Sequence, residues 1–228
     1  MKNVDYSYNP NQRTPCVLVL DASLSMEQRG ADGKTRIAAL NEGLKAFHVA
    51  LADDHMALNR VQLAIVIVGG PNNRAEVMME WTDANKFTPF EIFADGATPL
   101  GAGIQLGLDL IEESKQDLFR AGINYTRPWM LIISDGGPTD EPSVWKTAIA
   151  ESKAAELAKK VEIFTVGVEG ADMRTLSEIS SKPPAMLSGI KFSELFVWLS
   201  NSLGEVSRSR PGEELSLPTT DPWRNVKV

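Results

Sequence analysis

The tightest constraint on this chain is the run Val17-Leu18-Val19-Leu20, which leads without a break into Asp21-Ala22-Ser23-Leu24-Ser25. A strand that is apolar at every position is buried on both faces, as in a parallel sheet covered by helices on either side. Residues 61–68 (VQLAIVIV) have the same character, and so does WMLIIS at 129–134, which runs into Asp135. In open α/β sheets ligands sit in the crevice at the carboxyl ends of the strands. One carboxylate and two hydroxyls, from Asp21, Ser23 and Ser25, therefore fall where a site is expected. Oxygen donors of this kind suit a hard cation: Mg²⁺ first, with Mn²⁺ or Ca²⁺ as alternatives.

Between these strands the period changes to that of a helix. Ile37, Leu40, Leu44, Phe47 and Leu51 share one helical face, as do Leu100, Ile104, Leu108 and Ile111. Gly69-Gly70-Pro71-Asn72-Asn73 is a turn short enough to make residues 75–81 an antiparallel partner of 61–68. Thr98 followed by Pro99 reads as an N-cap and first helical residue. Further helices are expected from about Ser143, near 172–180, and from Phe192 to Leu203. Further strands are expected at 161–168 and around Met186-Leu187. The fold class is α/β: a doubly wound, mostly parallel central sheet with one antiparallel edge strand and helices on both faces. Residues 1–15 are a lead-in, 16–205 one domain and 206–228 a tail, which Leu215, Leu217 or Trp223 could dock.

The 228 residues are 43% hydrophobic, enough for a real core, and carry a net charge of -7, which argues against nucleic acid as a partner. A single cysteine, Cys16, rules out an internal disulfide framework and fits a reducing compartment. Residues 1–15 hold no apolar signal-like core, and no window is apolar enough for a membrane span. The expected location is cytoplasmic, away from membranes.

Asp21 and Asp135 each end a buried strand, and neighbouring strands lie about 4.8 Å apart. Two such carboxylates can reach one cation, with Thr98 adding a hydroxyl from a helix start. The candidate metal ligands are Asp21, Ser23, Ser25, Thr98 and Asp135, a set in which a Mg²⁺ ion keeps several waters.

DASLS, GATPLG and SDGGPTD, in this order, resemble the three-part metal-ion-dependent adhesion site (MIDAS) of von Willebrand factor A (VWA) domains, over about residues 14–203. RIAALNEGLKAF and GGPTDEPSVWKTA resemble the bacterial TerY-like group associated with tellurite resistance. The resemblance implies a non-enzymatic binding module. In it, hydroxyls and water hold the metal, and an acidic residue of a protein partner completes the coordination. It also implies a stress-response or tellurite-resistance scaffold whose partner is a kinase or phosphatase of the same operon.

A Mg²⁺-dependent phosphatase of the haloacid dehalogenase type needs a second Asp two residues after the nucleophile, where this chain has Ser23. A structural domain with a vestigial site is the third option. His48 and His55 lack a third metal-ligating partner nearby. Gly101-x-Gly103-x-x-x-Gly107 has the wrong spacing for a dinucleotide loop and more simply lets a helix pack closely. Trp81, Phe87, Phe90 and Phe93 are core residues or a partner-binding rim. Glu27, Asp32, Asp95, Asp140 and Glu141 surround the site, so a partner would offer one carboxylate on an otherwise neutral or basic surface.

Overall fold

The computed structural model describes residues 4, 6, 9–30, 33–187, 191–209 and 217. Its strands are β1 (Thr14–Ala22), β2 (Val61–Gly69), β3 (Arg74–Asp83), β4 (Trp129–Ser134), β5 (Glu162–Gly167) and β6 (Ala185–Met186). They form one sheet in the order β3-β2-β1-β4-β5-β6. β1 is central and pairs in parallel with β2 on one side and β4 on the other. β5 and β6 continue the parallel array, and β3 closes the opposite edge as the expected antiparallel partner of β2.

Successive side chains of a strand face opposite ways, and this alternation splits the core in two. Cys16, Leu18 and Leu20 face α1 (Arg36–Asp53), α2 (His55–Arg60) and α6 (Phe192–Arg208). Val17 and Val19 face α3 (Leu100–Arg120), α4 (Pro142–Leu157) and the short α5 (Met173–Leu176). The sheet is thus doubly wound, with both faces dry. Cys16 is fully buried, and burial pushes its thiol well above the ordinary range, as suits an inert core residue.

Small residues set how closely the helices approach. A Cβ on Gly103 of α3 would lie 2.4 Å from Val68 Cγ2, and one on Gly43 of α1 would lie 2.7 Å from the Phe196 ring of α6. The glycines of α3 are packing residues, as their failed dinucleotide spacing suggests.

Some boundaries differ from the sequence reading. α3 starts at Leu100, with Pro99 at its N-cap position and no cap from that residue. α2 is an additional helix, begun by Asp54, whose carboxylate accepts from the N–H groups of Met56 and Ala57 at 2.9 and 3.1 Å. α6 runs on to Arg208, into the first residues of the tail. Long-range contacts hold that last turn: Val206 is buried, the Ser207 hydroxyl donates to Thr14 Oγ1 at 3.0 Å, and Arg208 pairs with Asp54. Of the docking residues expected in the tail, Leu217 is half-buried against the α1–α6 core, while Leu215 and Trp223 lie outside the described residues. No helix among the described residues is long and apolar enough to cross a membrane.

Glu156, near the end of α4, is 6% exposed. It accepts from Ser181 N–H at 2.6 Å, the Ser180 hydroxyl at 3.0 Å and Lys182 Nζ at 3.2 Å. Burial alone would raise its pKa, but these donors outweigh burial and hold it below its ordinary value of 4.5. A depressed carboxylate pKa adds stability above the unfolded value, and that stability is lost as pH falls through the folded value. Glu156→Gln should therefore cost about 1.5–3 kcal/mol at pH 7. In urea titrations the gap from wild type should shrink below about pH 4; a gap independent of pH would mean the charge is not what holds this corner.

Gly103→Ala gains about 1 kcal/mol of helix propensity but drives a methyl group into Val68. We expect a net loss of about 1–2 kcal/mol in urea unfolding. A gain would show that α3 can move off the sheet at little cost.

Candidate metal-binding site

Asp21 is the penultimate residue of β1, and its side chain projects to the α3 face, the face of Val17 and Val19. The β1–β4 register pairs Leu20 with Ile133, so Ser134 stands opposite Asp21 on the same face. The Ser134 hydroxyl donates to Asp21 Oδ2 at 2.6 Å, and Ser23 N–H donates to Asp21 Oδ1 at 2.9 Å. Asp21 is fully buried and Ser23 is 2% exposed. The Ser23 and Ser25 hydroxyls lie 2.9 Å apart, and the Ser25 hydroxyl donates in turn to Asp135 Oδ2. Asp135 follows β4 directly, and Ser25 and Asp135 are both half-buried. Two carboxylates and two hydroxyls thus form a continuous row of oxygens from the buried end of β1 to the surface.

The row lies where the chain changes direction across the sheet. From β1 the chain winds one way through α1 to β2, and the later crossover through α3 reaches β4 on the other side of β1. This is the topological switch point at which open α/β sheets bind ligands.

Thr98 is buried, on the loop just before α3. No hydrogen bond joins its side chain to the other four residues among the described ones, but its backbone is tied to their loops. Leu24 N–H donates to Gly96 O at 3.0 Å, and Asp95 N–H donates to Ala22 O at 2.9 Å. Thr98 N–H donates to Thr139 Oγ1 at 3.0 Å, and Thr139 N–H returns a bond to Thr98 O at 2.8 Å. Gly69, at the end of β2 with φ +89°, sits where these loops converge. A Cβ there would lie 2.5 Å from Ala97 O and 3.0 Å from the Ser23 backbone.

The helix start at Thr98-Pro99 is capped by Asp140 and not, as expected, by Thr98. The carboxylate of Asp140, on the loop after β4, accepts from Gly101 N–H at 2.8 Å and Ala102 N–H at 3.0 Å. Asp140 is therefore the cap of α3, and its charge is spent on the helix rather than displayed on an acidic rim. Glu27, Asp95 and Glu141 are exposed, and Asp32 lies outside the described residues. Of the aromatic group, Trp81 and Phe87 are buried, Phe90 is half-buried against the core, and Phe93 is 60% exposed. His48 rests against the edge of the Phe87 ring.

Burial pushes the Asp21 carboxyl above the ordinary range. The Ser134 and Ser23 bonds pull it back, and the charge of Asp135 pushes it further up. Two carboxylates with hydroxyls between them form an all-oxygen donor set, the kind that hard divalent cations take. No cluster of three or more His, Cys, Asp or Glu that could hold a metal occurs among the described residues, so neither a zinc-type nor an all-carboxylate site competes with it.

Two roles are not carried by local sequence: the bond of Ser134 to Asp21, which needs strand register, and the capping of α3 by Asp140, which needs a contact between loops. Arg36 is a third neighbour: its guanidinium donates to the carbonyls of Ser25, at 3.4 Å, and Glu169, bracing the serine loop.

The family model of the von Willebrand factor type A domain matches residues 16–195. The chain belongs to the von Willebrand factor type A domain family. Solved structures agree on the fold of this VWA domain. The pilus adhesin SpaC of Lactobacillus rhamnosus GG, in its open conformation, superposes with a TM-score of 0.65 at 16% identity, over 90% of this chain and 31% of the adhesin. The VWA domain of SpRpn10 gives 0.54 at 14% identity, over 80% of this chain and 93% of that one. Proximal thread matrix protein 1 of the mussel byssus gives 0.55 at 14% identity, covering 86% and 49%. The chain thus spans about a third of the adhesin's length. A search of curated proteins finds no match. VWA domains are commonly protein-interaction modules, and usually not enzymes.

Asp140→Ala should cost the VWA domain about 1–2 kcal/mol, the usual range for losing a helix cap. Amide exchange at Gly101 and Ala102 should quicken by about tenfold per 1.4 kcal/mol of local stability lost. Unchanged exchange at both amides would mean that another group caps α3.

Proposed function

We propose that this VWA domain is a metal-dependent protein-binding module of the MIDAS type, which captures an acidic side chain of a partner protein. The observation that carries the reading is the row of oxygens from Asp21 through Ser23 and Ser25 to Asp135 at the switch point of the sheet. Asp21, Ser23, Ser25, Thr98 and Asp135 would hold the cation, Mg²⁺ in the first instance, with Mn²⁺ or Ca²⁺ as alternatives. When bound, the ion supplies an electrophilic position for an incoming carboxylate. The chain's own part is to keep that position underneutralised. Three of the five donors are neutral hydroxyls, and Asp21 shares its charge with Ser134 and the Ser23 N–H.

The phosphatase reading fares worse. Ser23, at the place of the required second acid, is bonded to Ser25. Within the module reading, the likeness to the TerY-like group supports a cytoplasmic stress or tellurite-resistance role, with an operon-encoded kinase or phosphatase as partner.

Thermal melts with and without MgCl₂ or MnCl₂ test the cation site. A ligand at a hundredfold excess over its Kd adds about 2.7 kcal/mol, or about 5–10 °C for a domain of this size. Wild type should show the shift, and Asp21→Ala and the half-buried Ser25→Ala should lose most of it. Equal shifts in all three proteins would remove these residues from any metal site and defeat the reading.

A further inference from the structure

Beside the proposed cation site, two large apolar side chains stand in solvent: Leu24 and Phe93, each 60% exposed. Leu24 lies between Ser23 and Ser25. Phe93 lies on the loop that leads to Thr98, and that loop is pinned on both sides of it. Just before Phe93, the Asn41 side chain clamps the buried Ile92, donating to its carbonyl at 2.8 Å and accepting from its N–H at 2.9 Å. Just after it, Asp95 N–H bonds Ala22 O at 2.9 Å, and Ala97 N–H bonds Asn73 Oδ1 at 2.6 Å. The bond from Leu24 N–H to Gly96 O joins the two segments. Phe93 is thus presented by a rigid backbone beside the serine loop, with its neighbour Ile92 buried and its own ring outside. Apolar groups held out in advance lose little entropy when a partner covers them, which is the setting in which one aromatic residue carries much of an interface. Nearest to the pair in sequence, the exposed charges are acidic: Glu27 three residues after Leu24, and Glu91 and Asp95 two residues either side of Phe93, while Arg36 donates to the Ser25 carbonyl. The chain as a whole carries -7.

We propose that Leu24 and Phe93 are the apolar half of the partner site and define the partner's chemistry. The partner is a protein segment with one acidic residue for the cation, a large aliphatic or aromatic residue close to it in sequence, and Lys or Arg alongside. The apolar residue covers Leu24 and Phe93, and the basic one faces Glu27, Glu91 and Asp95. The placing of the acidic residue rests on the cation reading above; the apolar and basic preferences rest on the rim alone.

The test is a phage-displayed library of random peptides with a fixed central Glu, panned on the full chain in MgCl₂ and in EDTA. Clones recovered in MgCl₂ should be enriched in Leu, Ile, Phe, Tyr or Trp near the Glu, and in Lys and Arg over further Asp and Glu. Synthetic copies should bind Leu24→Ser and Phe93→Ser about tenfold or more weakly than wild type. The magnesium-induced melting shift of each variant is read in parallel. Loss of peptide with the shift retained assigns the loss to the rim. Loss of both moves these residues into the cation site and overturns the proposal. So do clones without an apolar preference, clones that bind both variants as tightly as wild type, or no clones above background. Clones that keep the apolar preference in EDTA would sustain the rim and overturn the cation reading instead.

Discussion

A fully buried carboxylate at the end of the central strand is the constraint on which the rest of this molecule depends. Asp21 has no exposure to water, and an unpaired charge in such a place is costly enough to threaten a fold of ordinary stability. Its two compensating donors come from different places. Ser23 N–H is supplied by the turn that ends β1, and the Ser134 hydroxyl by the neighbouring β4. The second donor exists only while β1 and β4 keep their register. A slip of one residue would send Ser134 to the other face, with all its strand-mates. The sheet register and the candidate site are therefore one requirement, and the apolar residues on either side of Asp21 enforce it from both faces.

The loops above the sheet are braced in the same reciprocal way. The end of β1 and the turn after it hold the loop before α3 through Ala22 and Leu24, and the loop after β4 holds that loop through Thr139 and the start of α3 through Asp140. Each brace ends on a backbone N–H or carbonyl, so main-chain hydrogen bonds tie the three candidate ligand loops to one another. Gly69 marks the cost of this arrangement, a position where backbone from two loops leaves no room for a side chain. The exposed Phe93 and Leu24 owe their placement to the same bracing, which gives the surface beside Asp135 a defined shape.

What could be read in advance follows from how far apart the interacting residues lie. The fold class and the grouping of Asp21, Ser23, Ser25 and Asp135 rest on short contiguous signals: apolar runs ending in oxygen-bearing residues. Those signals survive because strand ends on one edge of a parallel sheet are brought together whatever the loops do. The features that local patterns do not carry depend on partners far along the chain. Thr98-Pro99 has the local look of a capped helix start, yet Asp140, 39 residues beyond Gly101, supplies the cap. The end of α6 is held by a serine 193 residues from its partner Thr14, and the Phe93 loop is clamped by Asn41, 51 residues from Ile92. No local pattern carries such contacts. Ser134 is the intermediate case: its place just before Asp135 was visible, and its bond to Asp21 needed only the register of two strands.

A cation–carboxylate contact is nearly indifferent to which protein offers the carboxylate, since every Asp and Glu presents the same two oxygens. On the proposed reading, the oxygens at the switch point can account for affinity but not for choice. Choice is a difference between affinities, and it must come from what surrounds the cation. Around this site the surroundings are uneven. Asp140 is turned inward as a cap, and Glu27, Glu91 and Asp95 are the exposed acidic residues that flank the two apolar side chains in sequence. A strongly acidic partner is disfavoured by that charge even as one of its carboxylates is attracted, and a wholly polar partner gains nothing from Leu24 and Phe93. Only a segment that is acidic at one point and apolar or basic beside it satisfies the whole surface. A shared fold at 14–16% identity cannot transmit such a preference from the adhesin or the other superposed structures, because the residues that set it stand on the loops and not in the sheet.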